Sequence, residues 1–145
     1  MRAEQLIKAP IDDVWAFFSE PNNLSQITPP HMKFKITSGK PEAMHPGQII
    51  SYKVSVLHGF PTNWVTEITQ VKLKKYFIDN QLFGPYKLWH HQHIFEEVKT
   101  GVLMKDIVTF KLPMGFIGNI AIPMVKKQLF KIFSYRNKVT NEIFD

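Results

Sequence analysis

The chain has 145 residues and a mass of 16.9 kDa, with 44% hydrophobic and 21% charged residues, so we expect one globular domain spanning residues 1–145. It contains no cysteine, which excludes disulfides, thiol catalysis and thiolate metal sites, and no apolar run is long enough for a membrane-spanning helix. The net charge of +6 comes from 16 scattered lysines and only 2 arginines, a pattern that argues against a nucleic-acid partner.

The first part of the chain predicts an edge strand and two short helices. Residues 2–8 alternate weakly between polar and apolar and lack the apolar segment of a secretory signal, so we expect a cytoplasmic protein. Pro10 then begins a short helix, because proline suits the first helical turn and two acidic residues follow it. A second short turn is predicted over residues 23–27, and Pro29-Pro30 is expected to end it.

From about residue 33 to residue 112 the polarity alternates with period two, which predicts antiparallel strands. The predicted strands cover residues 33–37, 48–57, 63–68, 76–83, 86–99 and 102–112. Glycine and proline mark the connections between them, as in the loop over residues 39–47 and the turn over residues 58–61.

After Gly118 the apolar period changes to 3.6 residues, which predicts one long amphipathic helix to the C-terminus. Its stripe consists of Val125, Leu129, Ile132, Phe133, Arg136, Val139 and Ile143. Pro123 lies near the start, so the helix either begins there or begins earlier and kinks. The uncharged segment over residues 113–125 is expected to be a buried lead-in, with a mobile gate or a membrane-touching loop as the alternatives.

This order of elements predicts an α+β fold. A curved sheet needs a long element on its concave face, and the C-terminal helix is the long element that the sequence offers. The space between such a sheet and its helix is a natural pocket.

Three neighbouring strands place polar side chains on a face otherwise suited to burial. The polar residues are Asp79 and Gln81 on one strand, His91 and His93 between Trp89 and Phe95 on the next, and Asp106 on the last. Arg136 lies in the apolar stripe of the helix, where a guanidinium requires a carboxylate, either Asp79 or Asp106.

Four interpretations fit these polar groups. They could form a structural network, orient a small molecule in a pocket, or act as an acid–base pair of a histidine with an aspartate. The fourth is a metal site, because His91 and His93 would lie on one strand face about 6.6 Å apart at Cα. A third metal ligand is only conjectural, so we expect neither a metal site nor a cofactor.

Four stretches resemble the SRPBCC proteins, the START-like and birch-pollen-allergen-like helix-grip superfamily. They are Ala9–Pro30, the W-x-T-x-I of residues 64–68, the run Phe77–Phe95 and the I-F-S-Y-R of Ile132–Arg136. The chain is most similar to a small bacterial ligand-binding subfamily that also occurs fused to cell-division-inhibitor-like epimerase domains. The resemblance implies a seven-stranded antiparallel sheet around a long C-terminal helix, with two short helices after the first strand and a deep cavity.

We therefore expect the chain to bind an apolar or amphipathic small molecule, such as a lipid, an isoprenoid or a polyketide-like compound, between sheet and helix. The expected binding residues are Tyr52, Trp64, Thr66, Asp79, Gln81, Trp89, His91, His93, Asp106, Phe133 and Arg136. One alternative is a polyketide cyclase or dehydratase with His91, His93 and Asp106 as catalytic candidates, and another is a protein-interaction module with a structural polar core. We favour the binding protein over the enzyme.

Overall fold

The computed structural model describes residues 1–39, 42–56 and 60–145. The elements are β1 (Arg2–Ile7), α1 (Ile11–Phe18), β2 (Lys35–Ile36), β3 (Gln48–Val54), β4 (Thr62–Lys72), β5 (Tyr76–Phe83), β6 (Leu88–Val98), β7 (Gly101–Lys111), α2 (Gly115–Ile120) and α3 (Ile122–Phe144). Parts of the predicted loop over residues 39–47 and of the turn over residues 58–61, and the last residue of the strand predicted over residues 48–57, lie outside the described residues.

The seven strands form one antiparallel sheet in the order β1-β7-β6-β5-β4-β3-β2. The predicted edge position of β1 is confirmed, and the short β2 forms the opposite edge. Two register shifts interrupt the pairing of β4 with β5, and such bulges bend a sheet. With α3 as the long C-terminal helix, the expected α+β helix-grip fold is confirmed.

The helix α3 covers the sheet with a stripe of buried residues. These are Val125, Leu129, Phe133, Arg136 and Thr140, spaced three or four positions apart as one face of a helix requires. Pro123 lies in the first turn and the helix begins at Ile122, so the first of the two predicted starts is confirmed. At the other end, Gln5 Nε2 on β1 donates a hydrogen bond of 2.8 Å to the Asn137 carbonyl.

The short helices differ in part from the prediction. The first, α1, begins directly after Pro10 as expected. The second is a 3-10 helix over Pro21–Ser25, so it begins two residues earlier than predicted. It ends before Pro29-Pro30, as predicted, and Pro30 begins a further 3-10 turn, Pro30–Met32, that the sequence did not predict. Proline has no amide hydrogen to leave unpaired at a first helical position, so it suits the start of such a turn.

The expected burial of the uncharged segment over residues 113–125 is wrong except at Val125, which is buried in α3. Residues 115–120 form α2, which has no buried residue, and Phe116 and Ile120 are 80% and 70% exposed. The reason is that α1 and α3 already cover the face of the sheet that carries the core. Apolar composition alone therefore does not bury a short helix. None of the described helices is long and apolar enough to cross a membrane.

Two buried apolar clusters lie between the sheet and the helices. One joins α1 to the sheet through Trp15, whose indole packs edge-on against Phe77 and Phe95. The other surrounds Trp64 and includes Leu129 of α3. A cavity lies between them, because residues from both clusters line it.

Candidate functional site

A cavity of about 200 Å³ lies between the sheet and α3. Its lining comes from α1 and the 3-10 segments, from strands β2 to β6 and from about two turns of α3, and most of these side chains are apolar or aromatic. Enclosed, mainly apolar cavities with a few polar groups are where proteins bind small molecules.

Aromatic side chains form one wall of the cavity. Tyr52 and Trp64 stack with ring centroids 5.9 Å apart, and Trp89 meets Trp64 edge-on at 5.2 Å. Thr66 fixes this wall, because its Oγ1 lies 3.2 Å from the Trp64 Nε1 donor and 3.3 Å from the Tyr52 hydroxyl. Burial, with the charge of Asp79 as a second cause, raises the pKa of Tyr52, so its hydroxyl stays protonated.

Five polar residues lie at the boundary between the cavity and the sheet, and we call them the polar cluster. They are Asp79 on β5, His91 and His93 on β6, Asp106 on β7 and Arg136 on α3. The strand pairing brings them together, because Asp79 lies opposite His91 and His93 lies opposite Asp106. Their side chains are 14% exposed or less, so their charges and hydrogen bonds must be satisfied within the fold.

The two imidazoles lie side by side between the two carboxylates. Their ring centroids are 3.7 Å apart. His93 Nε2 donates to Asp79 Oδ2 at 2.8 Å, and His91 Nε2 donates to Asp106 Oδ1 at 2.9 Å. The other nitrogen of each ring lies near the opposite carboxylate, at 3.7 Å for His91 Nδ1 to Asp79 Oδ2 and 3.1 Å for His93 Nδ1 to Asp106 Oδ1.

Arg136 approaches the cluster from the helix and faces Asp106 rather than Asp79. Its Nη1 lies 3.8 Å from Asp106 Oδ1. The guanidinium carbon is 5.3 Å from the Phe18 ring centre and 5.8 Å from that of Phe133, which places the cation against two aromatic rings. The carboxylate partner that the sequence left open is therefore Asp106.

Both carboxyls are ionised at neutral pH. Burial alone would raise the pKa of Asp106, but the Arg136 charge and the two imidazoles beside it hold it well below its usual range. Burial likewise raises the pKa of Asp79, but the hydrogen bond from His93 and the nearby basic groups of the cluster outweigh it, so that pKa is also lowered.

The two histidines are shifted in opposite directions. Burial lowers the pKa of His93, but its contacts with Asp106 and Asp79 outweigh burial and raise it. For His91, burial and the charge of His93 lower the pKa more than the two carboxylates raise it. Of the two imidazoles, His93 therefore binds a second proton more readily, beside two carboxylates and the Arg136 guanidinium. His91 is neutral, and because Nε2 donates to Asp106, its lone pair lies on Nδ1.

Of the residues expected to bind a ligand, nine line the cavity. They are Tyr52, Trp64, Thr66, Asp79, Trp89, His91, His93, Phe133 and Arg136. Asp106 lies behind the two imidazoles. Gln81 braces the connection between β5 and β6, where its amide donates to the Tyr86 carbonyl at 2.6 Å and accepts from the Tyr86 amide at 3.2 Å.

Part of the cavity lining was missed by sequence analysis. Leu24, Ile27 and Met32 line the cavity from the irregular segment between α1 and β2. Their apolar character was visible in the sequence, but 3-10 turns and loops impose no period that assigns a side chain to one face.

The sequence matches the model of a known protein family, and the fold is similar to solved structures. The family described as "Polyketide cyclase / dehydrase and lipid transport" matches residues 7–132. No curated protein matches the sequence significantly. The fold is similar to that of Ara h 8.0201, with 14% identity, coverage of 97% of this chain and 95% of the other, and a TM-score of 0.68.

Two bacterial structures extend the comparison. A protein of Thermus thermophilus has 18% identity, with 98% of this chain and 94% of the other covered and a TM-score of 0.69. A nucleoside-diphosphate sugar epimerase from Corynebacterium glutamicum has 21% identity and a TM-score of 0.68, with 98% of this chain but only 28% of the other covered. Such identities establish the fold alone, whereas the family match spans most of the sequence. The chain therefore belongs to the polyketide cyclase/dehydrase and lipid transport family, within the SRPBCC helix-grip superfamily.

Proposed function

We propose that this protein binds an amphipathic small molecule in the cavity, with the apolar part against the aromatic wall and a polar end at the polar cluster. The observation that carries the proposal is the asymmetry of the cavity, whose lining is mainly apolar but contains one charged, buried cluster. Affinity would come from the buried apolar surface and orientation from the polar end. The family description, which includes lipid transport, supports a ligand of this class.

The polar end of the cavity favours a ligand group that donates hydrogen bonds. Asp79 carries a full negative charge, and the lone pair of His91 Nδ1 lies 3.7 Å from Asp79 Oδ2. Two acceptors that face each other without a donor between them repel, and a hydroxyl or amine bound there would donate to one or both. We therefore propose a lipid, isoprenoid or polyketide-like molecule with such a group.

An enzymatic role of the cyclase or dehydratase type is the second candidate. It is favoured by the neutral His91, which lines the cavity and could accept a proton from a carbon next to the carbonyl of a molecule bound there. A bell-shaped dependence of kcat/KM on pH that disappears in His91→Gln would support it, and no turnover of enolisable polyketide analogues would count against it.

Mass spectrometry of the purified protein under native and denaturing conditions tests the binding proposal directly. A reproducible mass difference that passes into an organic extract would confirm a bound ligand and give its chemical class. If the native mass equals that of the chain, and no member of a panel of fatty acids, isoprenoids and aromatic polyketides binds, the proposal is wrong.

Filling the cavity from α3 is expected to abolish ligand binding. Ile132 is half-buried and lines the cavity, so Ile132→Trp places an indole in the volume that the ligand would occupy. We expect at least about a tenfold loss of affinity, measured by titration with a fluorescent apolar probe. Ile143→Trp is the matched control, because Ile143 is on the same helix, 39% exposed and outside the cavity lining. Equal affinity in both variants would place the ligand elsewhere.

A further inference from the structure

We propose that Asp79, His91 and His93 form a binding site for a divalent first-row transition-metal ion, with Zn²⁺ as the reference ion. Each residue offers one ligand atom, and the three atoms lie within 4.8 Å of one another. All three side chains line the cavity. The proposal does not require the organic ligand, because it rests only on the positions of these three side chains.

The distances between the donor atoms suit a metal ion. Asp79 Oδ2 lies 2.8 Å from His93 Nε2 and 3.7 Å from His91 Nδ1. Bonds of about 2.0–2.1 Å to nitrogen and oxygen separate two ligand atoms of a tetrahedral site by about 3.3–3.4 Å. The two observed distances from Asp79 lie on either side of that value, and all three donor atoms lie within 4.8 Å of one another, so a metal ion would have to draw His91 towards Asp79.

The residues around the three ligands also suit a metal site. Histidine ligands commonly donate their second ring nitrogen to a carboxylate, which fixes the ring and the nitrogen that binds the metal. Asp106 Oδ1 is placed for this role towards both rings, at 2.9 Å from His91 Nε2 and 3.1 Å from His93 Nδ1. Arg136 adds a positive charge 3.8 Å from the same oxygen, which favours the ionised form of that carboxylate.

One buried atom supports the same interpretation. His93 Nδ1 has no hydrogen-bond partner of good geometry among the described residues, although Asp106 Oδ1 is 3.1 Å away. A small rotation of the ring towards a metal ion at Nε2 could complete that hydrogen bond. The cost is the hydrogen bond between His93 Nε2 and Asp79, which the metal would replace.

The fold supplies the third ligand that the sequence left conjectural. The expectation of no metal site followed from a His-x-His pair with no assured partner, and the pairing of β5 with β6 places Asp79 opposite His91. Three protein ligands leave at least one coordination position open, as catalytic zinc sites do. That position could take an oxygen or nitrogen atom of a molecule bound in the cavity.

Titration of the whole chain with metal alone tests the site. The purified protein is treated with EDTA, freed of chelator and titrated with Co²⁺, followed by its visible absorption, and with Zn²⁺, followed by calorimetry. We expect one equivalent of Co²⁺ to bind, with the absorption of a four- or five-coordinate nitrogen and oxygen site, and Zn²⁺ to displace it. The absence of saturable binding would overturn the proposal.

Variants locate the ion. His91→Gln, His93→Gln and Asp79→Asn are each expected to remove the cobalt absorption, and Asp106→Asn to weaken binding about 10–100-fold. His90→Gln is the matched control, since His90 is on the opposite face of the same strand and pairs with Asn80 at 2.7 Å. Circular dichroism identifies any variant that has not folded. A cobalt site lost in His90→Gln, or retained in folded His91→Gln and His93→Gln, would show that the ion binds elsewhere.

The result of the metal titration can be separated from the result of the test for ligand binding in the cavity. Probe binding measured in EDTA reports on the apolar cavity without metal, and cobalt binding measured without probe reports on the three ligands. Loss of one signal with the other intact would contradict only the proposal that it tests.

Discussion

Replacing Asp106 with alanine is expected to lower the free energy of unfolding by about 3–5 kcal/mol. Asp106 is 5% exposed and lies within 3.8 Å of two imidazoles and a guanidinium. Without its carboxylate the guanidinium of Arg136 stays buried with no adjacent counter-charge, and His91 Nε2 loses its acceptor. Uncompensated buried charge is among the few causes of such large effects.

Urea unfolding of the metal-free protein at neutral pH measures this loss. Asp12→Ala is the control, because Asp12 forms an ion pair with Lys74 at the surface, where its side chain is 68% exposed. An exposed pair of this kind contributes about 0–1 kcal/mol. If Asp106→Ala costs no more than Asp12→Ala, the polar cluster does not stabilise the fold.

The faces of the strands could be predicted from alternation alone. Because side chains along a strand alternate between two sides, the sequence places His91, His93 and Asp106 on the side that also carries Phe95 and Met104. The structure buries all five of these residues. The stripe of the long helix was equally clear, and it identified Arg136 as a charge directed towards the sheet.

The partners within the cluster could not be predicted, because they depend on register. Alternation assigns a side chain to a face but does not say which residue of the next strand lies beside it. Asp79 lies beside His91 through the pairing of β5 with β6, and the register shift between Ile68 and Gln70 sets where β5 lies against β4. A bulge of this kind leaves no clear pattern in a single sequence.

Gln81 and the uncharged segment before α3 show a second limit of prediction from the sequence. Alternation placed Gln81 on the same face as Asp79, yet its amide turns to the backbone of Tyr86, because an unpaired peptide group near a turn needs a partner. The apolar composition of α2 suggested burial, but the surface that it could have covered belongs to other helices. In both places the outcome depends on which other groups compete for the same hydrogen-bond partner or the same surface. Those groups lie outside the segment concerned.

Replacing Arg136 with methionine is expected to cost about 3 kcal/mol at neutral pH, within the range for breaking a buried ion pair. Methionine keeps apolar contact with Phe18 and Phe133, so the loss reports mainly on the charge. Lys138→Met is the control on the same helix, since Lys138 is 74% exposed and pairs with Glu142 at 3.7 Å. That control is expected to change stability by less than about 0.5 kcal/mol.

The pH dependence of the stability lost in Arg136→Met tests whether Asp106 is the ion-pair partner of Arg136. In the native protein the pKa of Asp106 is lowered, so its stabilising contribution is present above the unfolded pKa of about 3.9 and is lost as pH falls through the folded pKa. In Arg136→Met burial is less opposed and that pKa moves up, so the cost of the substitution should shrink as the pH falls from neutral through the raised pKa of the variant towards the lower native pKa of Asp106. Urea unfolding of both proteins across this range measures the difference. A cost that is constant with pH would mean that Arg136 stabilises the fold through its contacts with the aromatic rings and not through Asp106.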